Sequence, residues 1–289
     1  MIISDEIRKI IDDDERAGFA LRTARILEDV MMHFYHKKYE VEWDSSEKYP
    51  AAAIKLEIDK KCDLLARTFL TALYPISSKW GFVGEESFYP SELKKEFYWC
   101  VDPICGSLGY NKKTGNFGTS VALVHNSKAI LGVMNSPVRN WTGIAVVHPD
   151  KKAALSPAFK RECNRRHLIV SANKKDLPNL QAIVKRMEPT EVTYAESLPV
   201  KSLGTLNGMF DLFYGLPSDL GGGKYNIWDI AATMAFADAT GCILTDAYGK
   251  ELTIDPEAYH YYDGIIMTFD EDLYKKSIEE TLKQKEMTG

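Results

Sequence analysis

Short apolar runs of strand length alternate with amphipathic stretches of helical period along most of the chain, and that alternation leaves few architectures open. Ala20, Ala24, Leu27, Met31 and Phe34 recur on one stripe and predict a helix over residues 17–35, preceded by the acidic run Asp12 to Glu15 that suits the positive end of a helix dipole. Residues 42–49 are polar and read as a loop. Ile58, Cys62, Leu65, Phe69 and Leu73 mark a second amphipathic helix with Pro75 just past its end. Strands are predicted over residues 97–101, 119–124, 130–134 and 141–147, with His125-Asn126-Ser127-Lys128 as a hairpin turn between the second and third. The second half repeats the alternation. Strands at 168–171 and 192–194 surround a helix, Gly204-Thr205 opens a helix toward Tyr214, and Gly221-Gly222-Gly223 forms a turn. A small-residue helix over 228–239 is stopped by Gly241, strands follow at 242–245 and 265–269, and a terminal helix spans 271–285. The pattern predicts an α/β protein, with a boundary between residues 1–150 and 151–289 in the polar, basic stretch 148–166.

Bulk properties narrow the function. The formal net charge is −5, so a nucleic-acid polymer is a poor partner in aggregate. No apolar run approaches bilayer-spanning length, and residues 1–15 are acidic without an apolar core, so the expectation is a cytoplasmic protein with no membrane partner. The five cysteines, Cys62, Cys100, Cys105, Cys163 and Cys242, are scattered and form no C-x-x-C pair, which fits neither a disulfide framework nor a zinc finger. Four of them read as packing thiols. Cys105 alone sits in a chemically suggestive place.

That place is one of three clusters: Gly84-Glu85-Glu86-Ser87, Asp102-Pro103-Ile104-Cys105-Gly106-Ser107 at the end of an apolar strand, and Trp228-Asp229 at a helix start. Carboxylates converging from strand ends and helix starts are hard oxygen ligands suited to Mg2+ or Mn2+. Glycines that let backbone N–H groups approach an anion, and a hydroxyl that can hold water, complete the equipment for phosphate-ester hydrolysis. Each cluster alone is weak, since a Glu-Glu pair is commonly a solvated face and Asp229 could simply cap its helix.

In order and spacing the three resemble the inositol monophosphatase, fructose bisphosphatase and bisphosphate nucleotidase superfamily of metal-dependent phosphatases. The likeness takes in strand 119–124, Gly132 to Pro137, Leu203-Gly204-Thr205 and the Gly-Cys-Ile-Leu-Thr-Asp segment from Gly241. It implies a layered αβαβα fold of two α/β subdomains with mixed sheets and, for many relatives, a homodimer. It implies Mg2+ held by Glu85, Asp102, the Ile104 carbonyl and Asp229, with Asp59 near a third metal position. Glu85 and Ser107 would position the attacking water, Gly106 and Ser107 would cradle phosphate, and Gly204 and Thr205 would line the substrate pocket. The substrate would be a small phosphorylated metabolite, either a sugar or polyol phosphate or a nucleotide bisphosphate.

The departures bear on the chemistry. Cys105 stands where relatives carry a second loop aspartate, and a thiol is a poor Mg2+ ligand. Ser107 replaces threonine, Leu56 replaces a threonine three residues before Asp59, and the acidic residue by which inositol-specific members hold a sugar hydroxyl is missing before Trp228. Three readings stay open: a phosphomonoesterase with a weakened second metal site, a catalytically impaired phosphatase-fold protein that binds a phosphorylated ligand or partner, and a site that takes a softer ion such as Zn2+ or Mn2+. A cysteine-phosphatase loop fails because Cys-x5-Arg would need arginine at Asn111, and a Gly-x-Ser-x-Gly elbow fails because Cys105 occupies its first glycine position. His33 and His36 read as surface residues, and Lys112-Lys113 as a solvated pair or a contact for a second phosphate.

Overall fold

The computed structural model describes residues 4–36, 50–148, 150–157, 166–171 and 176–288, with side chains in the helix at Pro50 described from Glu57 onward. The expected loop at 42–49, Cys163 and the Leu56 side chain lie outside the described residues.

Three helices, α1 (Asp5–Asp13), α2 (Glu15–His36) and α3 (Pro50–Leu73), precede a six-stranded sheet in sequential order. Its strands are β1 (Trp80–Gly84), β2 (Phe97–Cys105), β3 (Gly118–His125), β4 (Lys128–Ser136), β5 (Trp141–Val146) and β6 (Lys152–Ser156), with the short α4 (Ser107–Asn111) between β2 and β3. β1 runs parallel to β2 and the remaining neighbours are antiparallel. The chain continues through β7 (His167–Ser171), α5 (Pro178–Met187), β8 (Glu191–Ala195), α6 (Leu198–Leu206), β9 (Leu212–Gly215) and β10 (Tyr225–Asn226). It ends with α7 (Ile227–Thr240), β11 (Ile243–Thr245), β12 (His260–Tyr261), β13 (Ile265–Thr268) and α8 (Glu271–Thr288). The second sheet has the mixed order β11-β13-β9-β7-β8, and β10 pairs with β12 in a two-residue ribbon.

The period-2 alternation of strand side chains sorts these elements into five layers. Val101, Val121 and Leu123 bury one face of the first sheet against α1, α2 and α3. Cys100, Ala122, Val124 and Met134 face the other way, into a core shared with α6, α7 and Ile169, Phe213, Ile265 and Met267 of the second sheet. Leu168, Val170, Leu212, Tyr214 and Ile266 pack the far side of the second sheet against α5 and α8. The order is therefore α-β-α-β-α, as the resemblance implies. Gly132 permits the tight contact of α7 on β4, because a Cβ there would come within 2.7 Å of the Ala232 carbonyl oxygen.

Gly204-Thr205 does not open a helix toward Tyr214. α6 begins earlier, where the Ser197 hydroxyl accepts from the Val200 N–H and Pro199 occupies the first turn. Gly204 and Thr205 fall in its last turns, Gly208 follows at φ 78°, and Leu212–Gly215 is a central strand. The apolar run 210–216 fits either element by composition, and pairing with β7 and β13 decides for strand.

Asn135, in the Gly132 to Pro137 segment, ties the first sheet to α2. Its Oδ1 accepts from the Thr119 N–H at 3.0 Å, and its Nδ2 donates to the Ala24 carbonyl at 3.1 Å and to Glu28 Oε2 at 3.2 Å. Asn135→Ala leaves the Thr119 N–H buried and unsatisfied, and denaturant titration should find a loss of about 2–3 kcal/mol; a loss under about 0.5 kcal/mol would contradict this role.

Candidate metal centre

The site forms where the C-terminal ends of β1 and β2 meet the start of α7. The Glu85 N–H donates to the Val101 carbonyl at 3.2 Å, which extends the β1–β2 pairing by one residue and sets Glu85 beside Asp102. Gly84 is required just before it, since a Cβ there would lie 1.9 Å from Asp63 Oδ1. Pro103 has no N–H for the ladder, and the β2–β3 register shifts between Asp102 and Cys105. The Thr119 hydroxyl holds this irregular stretch by donating to the Pro103 carbonyl at 3.0 Å. Gly106 then turns the chain at φ 91° into α4, and a Cβ there would meet Ser197 Cβ at 2.7 Å. The Ser107 hydroxyl donates to the Ile104 carbonyl at 3.2 Å.

From the other side, the Asn226 N–H donates to Asp229 Oδ2 at 2.6 Å. Asp229 thus caps α7 and also reaches the cluster: Asp102, Cys105 and Asp229 each offer one ligand atom, all within 4.8 Å of one another. Phe88 links the loop after β1 to α7 through a ring contact with Trp228 at 5.2 Å.

Electrostatics mark the cluster as short of positive charge. Burial, and then the charge of Asp229, push the Glu85 carboxyl up to about 7. Burial, and then Glu85 and Asp229, hold the Asp102 carboxyl well above the carboxylate range, and burial also raises Asp229. The Cys105 thiol is driven up by burial and by the two aspartates. Asp102 is 2% exposed, yet its Oδ1 has no hydrogen-bond partner among the described residues. A buried acceptor among like charges is costly unless a cation satisfies it. The donor set therefore fits a divalent cation held by carboxylate oxygens, with Cys105 as its one soft member.

Other expected residues lie at varying remove. Asp59 is buried on α3, and its charge adds to the upward push on Glu85. Gly204 packs against Phe210 and the Thr205 hydroxyl donates to the Lys201 carbonyl at 2.9 Å, whereas the part of α6 that touches the loop is its first turn. There the Leu198 N–H donates to Cys105 Sγ at 3.3 Å. Lys112 and Lys113 are exposed, as a solvated pair would be, and the Lys113 Nζ donates to the Tyr35 carbonyl and lies over the Tyr35 ring at 4.3 Å. His33 and His36 are exposed, as expected of surface residues.

Three residues of the surroundings went unmarked in the sequence. Lys201 is 1% exposed, with Nζ donating to Ser171 Oγ at 3.1 Å, and burial brings its ammonium down to about 8. Its signal was a lone lysine within the apolar run Leu198 to Leu203. Asp63 lies one helical turn beyond Asp59 on the same face of α3, both 2% exposed. His260 contacts Asn226 Oδ1 through Nδ1 at 2.8 Å, and no local pattern announces that contact.

The profile of the inositol monophosphatase family matches residues 12–284. The chain belongs to that family. Among family relatives, the 3'(2'),5'-bisphosphate nucleotidase CysQ of Shigella flexneri is 32% identical over 170 residues, covering 55% of this chain and 63% of CysQ. The fructose-1,6-bisphosphatase/inositol-1-monophosphatase of Thermotoga maritima is 23% identical over 259 residues, covering 87% and 93% of the two chains. Among solved structures, an inositol monophosphatase from Zymomonas mobilis superposes with a TM-score of 0.69 at 18% identity, covering 94% of this chain and 98% of its own. The Thermotoga maritima IMPase superposes with a TM-score of 0.70 at 21% identity, covering 93% and 99%. These likenesses establish the family fold. Among the described residues no helix is long and apolar enough to cross a membrane.

Proposed function

We propose that this protein is a divalent-metal-dependent phosphomonoesterase acting on a small phosphorylated metabolite, with a second metal position altered by Cys105. The observation that carries the reading is the meeting of Glu85, Asp102 and Asp229 from three distant segments, with a buried Asp102 oxygen left unsatisfied. Glu85, Asp102 and the Ile104 carbonyl would hold the first ion, Asp102 and Asp229 the second, and Asp59 would stand near a third. When bound, Mg2+ or Mn2+ supplies charge neutralisation for phosphate oxygens and acidifies a water.

The chain's own groups divide the remaining work. Glu85 would accept a proton from the attacking water, the role its place beside Asp102 suits. Ser107 exchanges its bond to the Ile104 carbonyl for one to that water, and Gly106, at φ 91°, turns the chain so that Ser107 opens α4. Ser107→Ala should lower kcat about 10²-fold with KM little changed, as for loss of one positioned hydrogen bond. Among substrates, a nucleoside 3',5'-bisphosphate is the first candidate, supported by the identity to CysQ and by the absence of an acidic residue in Gly221 to Asn226 to hold a polyol hydroxyl.

The test is phosphate release from nucleoside bisphosphates, inositol phosphates and fructose 1,6-bisphosphate with Mg2+, Mn2+ or Zn2+, comparing native protein with Cys105→Asp and Asp102→Asn. Native hydrolysis that Asp102→Asn abolishes supports the reading. A native protein inert with every ion, alongside an active Cys105→Asp, would establish the second reading, an impaired phosphatase-fold binder, which Cys105 favours.

A further inference from the structure

We propose that Cys105 makes the position bounded by Asp102, Cys105 and Asp229 a thiolate-containing site that selects a thiophilic divalent ion of the zinc or cobalt class over magnesium. The inference rests on the proposal that Asp102 and Asp229 hold a cation, and it concerns which cation this chain admits there.

Three observations converge. One sulfur and two carboxylate oxygens lie within 4.8 Å of one another. A tetrahedral ion with sulfur at about 2.3 Å and oxygen at about 2.0–2.2 Å spaces its ligands about 3.5 Å apart, so a small contraction closes the set. Three protein ligands leave a fourth position open for water or substrate, the arrangement of catalytic rather than structural zinc.

The second observation is the Asp102 Oδ1 atom, buried and without a hydrogen-bond partner among the described residues. It is an acceptor that a cation at this position would satisfy. The third is the Leu198 N–H donated to Cys105 Sγ at 3.3 Å from the first turn of α6. A donor aimed at sulfur fixes the side chain's orientation, as outer groups do around metal-bound ligands.

Among the described cysteines, Cys105 is the one grouped with two further candidate ligands. Cys242, by comparison, donates to the Thr268 carbonyl at 3.3 Å and serves packing.

The binding step balances without a redox partner. The Cys105 S–H bond breaks with its electron pair left on sulfur, the pair is donated to the ion, and the proton passes to solvent. Mg2+ is disfavoured because it demands near-octahedral oxygen ligation and gains little from a soft sulfur.

Co2+ reports the bond directly, because a thiolate on cobalt produces a near-ultraviolet charge-transfer band. The metal-stripped full-length chain should develop that band on Co2+ addition. Zn2+ should erase it, and Mg2+ in large excess should not. Cys105→Ser and Cys105→Asp should both lack the band, while Cys62→Ser keeps it. Zn2+ affinity should fall at least ~10-fold in Cys105→Ser, and the preference for Zn2+ over Mg2+ should narrow by a similar factor in Cys105→Asp. No band in the native protein, or a band that survives Cys105→Ser, overturns the proposal. Should the band be missing while the native protein hydrolyses phosphate esters with Mg2+, this inference falls and the phosphatase reading stands. A band without hydrolysis gives the reverse.

Discussion

Asp102→Asn should lower kcat/KM by at least ~10³-fold and, in the same protein, raise the melting temperature of the metal-free form. The two effects have one origin. Asp102 is buried between Glu85 and Asp229, and its carboxyl is held well above its ordinary range, first by burial and then by those neighbours. Without a cation its charge is a liability, and a neutral amide of the same shape relieves a desolvation cost on the order of 1–3 kcal/mol. With a cation bound as proposed, that charge would be the central ligand, and the amide removes it. A residue serving structure alone would show the opposite pairing, lower stability with activity following the folded fraction. Thermal melts in chelator and steady-state rates in Mg2+ separate the cases, and an active Asp102→Asn ends the site assignment.

The stability of the metal-free protein should fall as pH rises from about 4.5 to about 7, and divalent cation should restore it most at the upper end. Glu85 has an ordinary pKa of 4.5 and is pushed up to about 7 in the fold, by burial and then by the charge of Asp229. The folded state therefore holds the proton more tightly than the unfolded chain. That contribution is complete below the unfolded value and lost as pH climbs through the folded one. Its size is on the order of 3 kcal/mol, and the upward shifts of Asp102 and Asp229 act in the same direction. Bound cation removes the repulsion and adds ligand linkage. Melting temperatures at pH 5 and pH 8, in chelator and in saturating Mg2+, give the answer. An Mg2+-induced gain that is equal at both pH values would refute this account.

Much of the site was legible because its residues sit where local sequence carries meaning. Asp102 follows the apolar run 97–101 and precedes a proline, Glu85 follows a glycine at the end of β1, and Asp229 lies in the first turn of a helix. Order and spacing then linked them. The layers were legible for a similar reason, since strand alternation assigns Ala122 and Val121 to opposite faces before any partner is known. What escaped was decided by tertiary contact. Lys201 sits in an apolar helical run, and only the packing of Ser171 and Phe213 around it shows a buried ammonium near the cluster. Residues 212–215 became a strand because neighbouring strands pair with them. Cys105 stands where the resemblance implies an aspartate, so the motif points to a place more firmly than to an ion.

The centre joins parts of the chain that fold into different layers. Glu85 and Asp102 belong to the first sheet, Asp229 to the helix lying between the sheets. In the metal-free molecule these carboxylates repel across that seam, and the seam is closed by apolar contacts such as Phe88 on Trp228. A cation there would act as a clasp as well as a reagent, drawing the middle layer onto the sheet. Its departure would loosen the two together, so that ion content sets how tightly the layers close as well as how fast the chemistry runs.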